Sequence, residues 1–195
     1  MAFKADRRVQ RTRQLLQGAL IALIQEKGYE ALTVQDIIDR ANVGRATFYA
    51  HFDNKEDLLV SRLDDFRGAL RARQQHAMRQ VLPAEERMFS YTREVFIHVD
   101  GHRAVFRSMV GKRSGAIIQQ LFHKMLVDLV RDDVKAMVPA KATGGVSREA
   151  VTQLIAGGLF GLIQWWVDGP LQLSVAEVDA LFSRVAMPAL EALQQ

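Results

Sequence analysis

The sequence predicts an all-α protein, with a small N-terminal three-helix domain followed by a larger helical body. Three observations predict it. Apolar residues recur at i, i+3 and i+4 along most of the chain. Glycine, proline and Asn/Asp clusters punctuate that pattern. No stretch shows the paired alternating runs of a β-hairpin.

The first helix covers about residues 9–27, where Leu16, Ala19, Leu20, Leu23 and Ile24 share a face. Gly28 follows it, as a C-terminal glycine should. Thr33 opens the second helix and precedes Asp36 by three residues, a capping box with aspartate in place of glutamate. Val34, Ile37, Ile38 and Ala41 are its apolar face, and Asn42-Val43-Gly44 ends it. A third short helix runs over residues 45–52. Asn54 is a good N-cap for a long fourth helix that ends near Pro83. Further helices are expected over residues 83–99, 102–110 and 114–138, then a loop over 139–145. The last two cover 146–167 and 175–193, separated by Asp168-Gly169-Pro170. Pro188 should kink or end the final one. The expected division is a domain over residues 1–53 and a body over 54–195.

Composition narrows the function classes. The 195 residues include no cysteine, which excludes disulfides, thiolate nucleophiles and cysteine-bound zinc. No phosphate-loop motif is present, and the serine of GKRSG lacks the spacing of a nucleophile elbow. A helical di-iron site needs paired Glu-x-x-His motifs, whereas Glu94 and His98 are one residue too far apart. His98 and His102 flank Asp100-Gly101, an expected helix break, so no metal site is expected there. No enzyme, cofactor or metal is expected. The N-terminus has no apolar run behind its charges and does not read as a signal peptide. Residues 150–167 carry no charge, but glutamines, a threonine and three glycines make them a buried helix rather than a membrane span. A cytoplasmic protein is expected.

The net charge is +4, unevenly spread. Lys4, Arg7, Arg8, Arg11 and Arg13 face one acid, Asp6, so a basic arm leads a near-neutral body. Such an arm suits a polyanion. Behind it stand two short helices joined by a tight glycine-bearing turn: TVQDIIDRA, NVG, RATFYAHF. That is the shape of a helix-turn-helix. At about 100° per residue, Phe48 and Phe52 fall on one face and should pack on Leu20, Val34 and Ile38. Ala46, Thr47, Tyr49 and Ala50 then point outward, small enough for a major groove. Arg45 opens the helix, where its fork could grip guanine. Thr33 and Lys55, at neighbouring helix starts, suit DNA phosphates, as does His51 beside the outward face.

The run LTVQDIIDRANVGRATFYAHFDNKEDLL resembles the DNA-binding signature of the TetR family of repressors. The marks are TFY-x-HF, the F-x-x-K-E-x-L exit into the fourth helix and the GYEALTV entry, covering about residues 8–60. The rest matches the family in architecture alone. The resemblance implies a homodimer, a palindromic double-stranded operator and repression relieved by a ligand. It places Thr33, Arg45, Ala46, Thr47, Tyr49, His51 and Lys55 where the family commonly touches DNA, and Phe48 and Phe52 at core positions.

In the body, the last two helices read as an interface. Ile155, Gly158, Leu162, Trp165 and Trp166 lie near one stripe, and Val178 and Phe182 near another. Phe66, Met88, Tyr91, Phe96, Met109, Phe122 and Met125 are the candidates to line a pocket for a small apolar or amphipathic ligand. An activator, or a regulator without any ligand, is the alternative.

Overall fold

A computed structural model describes residues 2–109, 113–138, 147–169 and 173–192. The described residues form helices and connections: α1 (Ala2–Lys27), α2 (Val34–Ala41), α3 (Arg45–Tyr49), α4 (Lys55–Met78), α5 (Ala84–Arg87), α6 (Thr92–Gly101), α7 (Arg103–Met109), α8 (Arg113–Met137), α9 (Arg148–Asp168) and α10 (Val175–Glu191). The loop expected over 139–145 lies outside the described residues.

The chain divides into two compact units, residues 1–66 with 104–118, and residues 67–103 with 119–195. The first therefore reaches past residue 53 into α4. Leu58 and Leu59 explain this, because both are buried in the first unit's core.

That core is built by α1, α2 and α3. Leu16, Leu20 and Ile24 of α1 meet Ile37 and Ile38 of α2 and Phe48 of α3, with Phe52 just beyond. Thr33 and Asp36 form the expected capping box. Asn42 ends α2 in the left-handed conformation (φ 52°), which Asn tolerates better than most residues. Gly44 is the N-cap of α3 and brings no side-chain cap.

The second unit packs α6 against α9 and α10. Phe96 of α6 sits edge-on to Trp166 of α9, with ring centroids 5.6 Å apart. Arg103 lies 4.0 Å from the centroid of the same indole and donates to the Trp166 carbonyl at 3.0 Å. The indole Nε1 donates to the Leu173 carbonyl at 2.8 Å. α10 opens on a Ser174–Glu177 capping box.

Three expectations about elements change. The helix expected over 83–99 is broken into α5 and α6, because Phe89 adopts a left-handed backbone (φ 54°) between them. α6 runs through Asp100 to Gly101, and the His98 and His102 rings stack at 4.5 Å. The sequence pattern had placed a break there. Pro188 neither ends α10, which continues to Glu191, nor sits in the core. The backbone bond it forgoes is one turn from the helix end and faces solvent, where water can replace it.

α9 explains its own hydropathy. It is long and apolar enough to cross a membrane by length and composition. One face, with Val151, Ile155, Ala156, Leu159, Ile163 and Trp166, is buried within the second unit. On its other side Leu154 and Trp165 stand exposed.

Candidate functional site

The outward face of α3 is the site the sequence singled out. Arg45, Ala46, Thr47, Tyr49 and Ala50 are exposed, while Phe48 and Phe52 are buried. The turn after the helix continues the winding, with the His51 and Phe52 amides both donating to the Phe48 carbonyl at 2.9 Å. His51 is half-buried beside the Phe52 ring. Small residues thus border one tyrosine and one arginine. Arg45 reaches over Tyr49, its guanidinium carbon 5.6 Å from the ring centroid.

Arg7, Arg8 and Arg11 lie exposed on the N-terminal half of α1. Arg13 instead lies 5.3 Å from the Phe52 ring centroid, a cation–π contact that ties the arm's last cation to the helix-turn-helix.

Two expected phosphate contacts are otherwise engaged. The Lys55 ammonium points inward. It donates to the carbonyls of Tyr29 (3.1 Å) and Leu32 (2.8 Å) and lies 4.5 Å from the Tyr29 ring centroid. It therefore clamps the α1–α2 connection to the start of α4. Both donors of Thr33 go to Asp36, the amide at 2.8 Å and the hydroxyl at 2.6 Å. The Lys27 ammonium, 2.7 Å away, and those bonds hold the Asp36 carboxyl well below the usual carboxylate range. At that helix start, the first backbone amides of α2 are what remains for an anion.

The candidate ligand residues are divided between the two units. Phe66 belongs to the first unit. Met88, Tyr91, Phe96, Phe122 and Met125 belong to the second, all buried in its core. Met109 lies in α7, outside the residues whose side chains are described.

The sequence reading missed the polar group inside that core. Asp133 of α8 is fully buried. It accepts from Gln74 Nε2 of α4 at 2.8 Å and from the Phe89 amide at 3.2 Å. The Tyr91 phenol lies against the same carboxyl, outside good hydrogen-bond geometry. Burial pushes the Asp133 carboxyl up to about 7, against the hydrogen bonds that favour its charged form. The left-handed turn at Phe89 aims its amide there and sets its ring on Phe182 of α10 at 5.2 Å. Beside it, the Thr92 hydroxyl is 2.6 Å from Asp179 of α10. Nothing in local sequence marks Asp133, which sits in DLVRDDVK beside an exposed Asp132.

The expected interface residues separate into two sets. Trp166 and Val178 are interior to their own unit, and Ile155 and Phe182 are nearly so. Gly158 and Trp165 are exposed and Leu162 is half-buried. A groove of about 480 Å³ opens between α9 and α10, bordered by Leu154, Gly158, Leu162, Leu181, Val185 and Ala189. Leu154 is 75% exposed and Val185 is 67% exposed, and with the other lining residues they make the groove a contiguous apolar patch.

Comparison with known proteins adds to this. Residues 16–61 match the family model described as bacterial regulatory proteins, tetR family. Residues 86–187 match a model described as transcriptional regulator C-terminal region. The chain is 51% identical over 55 residues to the uncharacterized HTH-type transcriptional regulator YxbF of Bacillus subtilis, covering 28% of this chain and 14% of that protein. The chain thus spans well under two thirds of that relative. Among solved structures, a putative TetR-family transcriptional regulator from Syntrophomonas wolfei superposes with a TM-score of 0.75 at 18% identity, covering 93% of this chain and 96% of the other. The SmeT–triclosan complex superposes with a TM-score of 0.68 at 16% identity, covering 91% and 90%.

Proposed function

The chain belongs to the tetR family of bacterial regulatory proteins, and from that premise we propose that it is a homodimeric repressor acting in the cytoplasm. It binds a palindromic operator through α3 and lets go when the second unit takes up a small apolar or amphipathic molecule. The observation that carries the DNA reading is the exposed face of α3, with small residues around Arg45 and Tyr49 and two phenylalanines anchoring it behind. That face fits a major groove, and the exposed arginines of α1 supply phosphate attraction.

The apolar groove on α9 and α10 supports dimerisation. A single recognition helix covers too little DNA for tight, specific binding. Two copies, held about 34–36 Å apart, reach successive turns of one groove face. Ligand relief is supported by a core that mixes flexible and aromatic residues (Met88, Tyr91, Phe96, Met125) with one buried carboxyl, the composition of a small-molecule site. A protein of this fold was solved holding triclosan. A ligand that favours the arrangement unable to span two half-sites would empty the operator.

Selection of bound duplexes from a random pool tests the reading. An enriched palindrome with half-sites one helical turn apart is the expected result, and no enrichment at low salt by an intact dimer would count against it. Compounds that release the selected operator and also raise the Tm of the free chain would establish the ligand.

A further inference from the structure

We propose that Tyr49 is a positioning residue for Arg45, and that the pair reads one guanine in each half-site of the operator. This rests on the reading of α3 as the helix that enters the groove.

Arg45 and Tyr49 are four residues apart on α3, so their side chains lie one above the other on its exposed face. Tyr49 is 47% exposed, yet its ring is not free to wander. It stands edge-on against the buried Phe48 ring, with centroids 5.3 Å apart and planes at 81°. Phe48 in turn touches Phe52, at 6.1 Å. The Arg45 guanidinium rests near the exposed tyrosine ring. A series of rings thus runs from the core to the one cation on the outward face of α3.

The guanidinium is held without being used up. Among the described residues, no carboxylate pairs with Arg45, so its N–H donors remain available. Its neighbours Ala46, Thr47 and Ala50 are too small to keep it from a base edge. Contact with a ring face holds the flat of the guanidinium but leaves the edge of the planar fork open. Guanine presents two acceptors, O6 and N7, to such a fork. Adenine replaces one with an amino donor, which meets the arginine donor head-on. A fork already ordered loses less conformational freedom on binding than a loose one.

The competing role for Tyr49 is a hydroxyl bond to a phosphate. The two roles differ in what they read. A phosphate contact affects every sequence alike, whereas a positioning role acts through one base.

The test uses the full-length chain and the duplex selected by the parent. Binding is measured for the parent, Arg45→Ala, Tyr49→Ala, Tyr49→Phe and the double alanine variant. Each guanine of the half-site is replaced by adenine in turn. Arg45→Ala should abolish the preference for guanine at one position, a loss of roughly 5- to 150-fold in discrimination. Tyr49→Ala should weaken the preference at that same position, and the double variant should be no worse there than Arg45→Ala. Tyr49→Phe keeps the ring and should keep the preference. If Tyr49→Phe instead weakens every duplex alike, the hydroxyl grips a phosphate and the proposal is overturned. Losses at different base positions, or losses that add, would overturn it as well. A parent that enriches no sequence removes the underlying reading, a failure visible before any variant is made.

Discussion

Asp133 is surrounded by donors, but among the described residues no cation offsets its burial. Its charge is therefore costly in the folded chain, and the sign of the pH effect follows. With an unfolded value of about 3.9 and a folded value of about 7, the native state holds the proton longer. Stability is undiminished below about pH 4, falls as pH rises towards 7, and is level above. Between pH 5 and pH 8 the loss is roughly 2–3 kcal/mol. Urea unfolding at these two pH values should show it in the parent and not in Asp133→Asn. An equal slope in both would assign the pH effect elsewhere. Lys55 makes the opposite case, a charge fully employed. Lys55→Met should lower stability by about 1–3 kcal/mol by orphaning the Tyr29 and Leu32 carbonyls. Loss of operator affinity at unchanged stability would return Lys55 to the phosphates. Neither residue could be sorted from the sequence. A lysine at a helix start looks the same whether it faces phosphate or carbonyl, and Asp133 differs from exposed Asp132 by one step of rotation.

At the level of elements, periodicity was informative wherever a helix has one apolar side. The Phe48–Phe52 spacing and the Thr33–Asp36 pair predicted the helix-turn-helix and its cap, and the core and hydrogen bonds match them. α9 was harder because it is apolar on both sides. Of its adjacent tryptophans, Trp165 faces out and Trp166 faces in, a difference that depends on what packs behind them. Phe89 was equally hidden, since nothing in PAEERMFSYTREV signals a left-handed phenylalanine. Two substitutions test helix ends. A side chain at Gly169 would meet the Trp165 carbonyl oxygen at 2.6 Å, so Gly169→Ala should cost about 1–3 kcal/mol. Pro188→Ala restores a backbone donor in the last turn of α10, where water already replaces the missing bond, and should stabilise by no more than about 1 kcal/mol. Thermal or urea melts decide both, and a neutral Pro188→Ala would mean the last turn of α10 adds nothing to stability.

For the whole molecule, the proposed dimer carries its own prediction. If the α9–α10 groove is where two copies meet, Val185→Asp places a charge in it and should leave a monomer by sedimentation, with operator affinity reduced at least tenfold. An unchanged sedimentation coefficient would move the interface elsewhere. Trp166→Asp would be a poor substitute, since a charge there disrupts the protomer itself. The Tm of the parent should also climb with protein concentration, and that of Val185→Asp should not.

The two-faced character of α9 also bears on how the chain is made. Synthesis runs from the N-terminus, so α9 emerges from the ribosome before α10, which packs on it. During that interval the flank that α10 will cover is bare beside the exposed Leu154 and Trp165, and among α9's own residues only Arg148, Glu149 and Asp168 at its ends carry charge to keep neighbouring nascent chains apart. Overproduction at high temperature, which crowds many such intermediates together, should drive the protein into inclusion bodies, and slower synthesis in the cold should recover it.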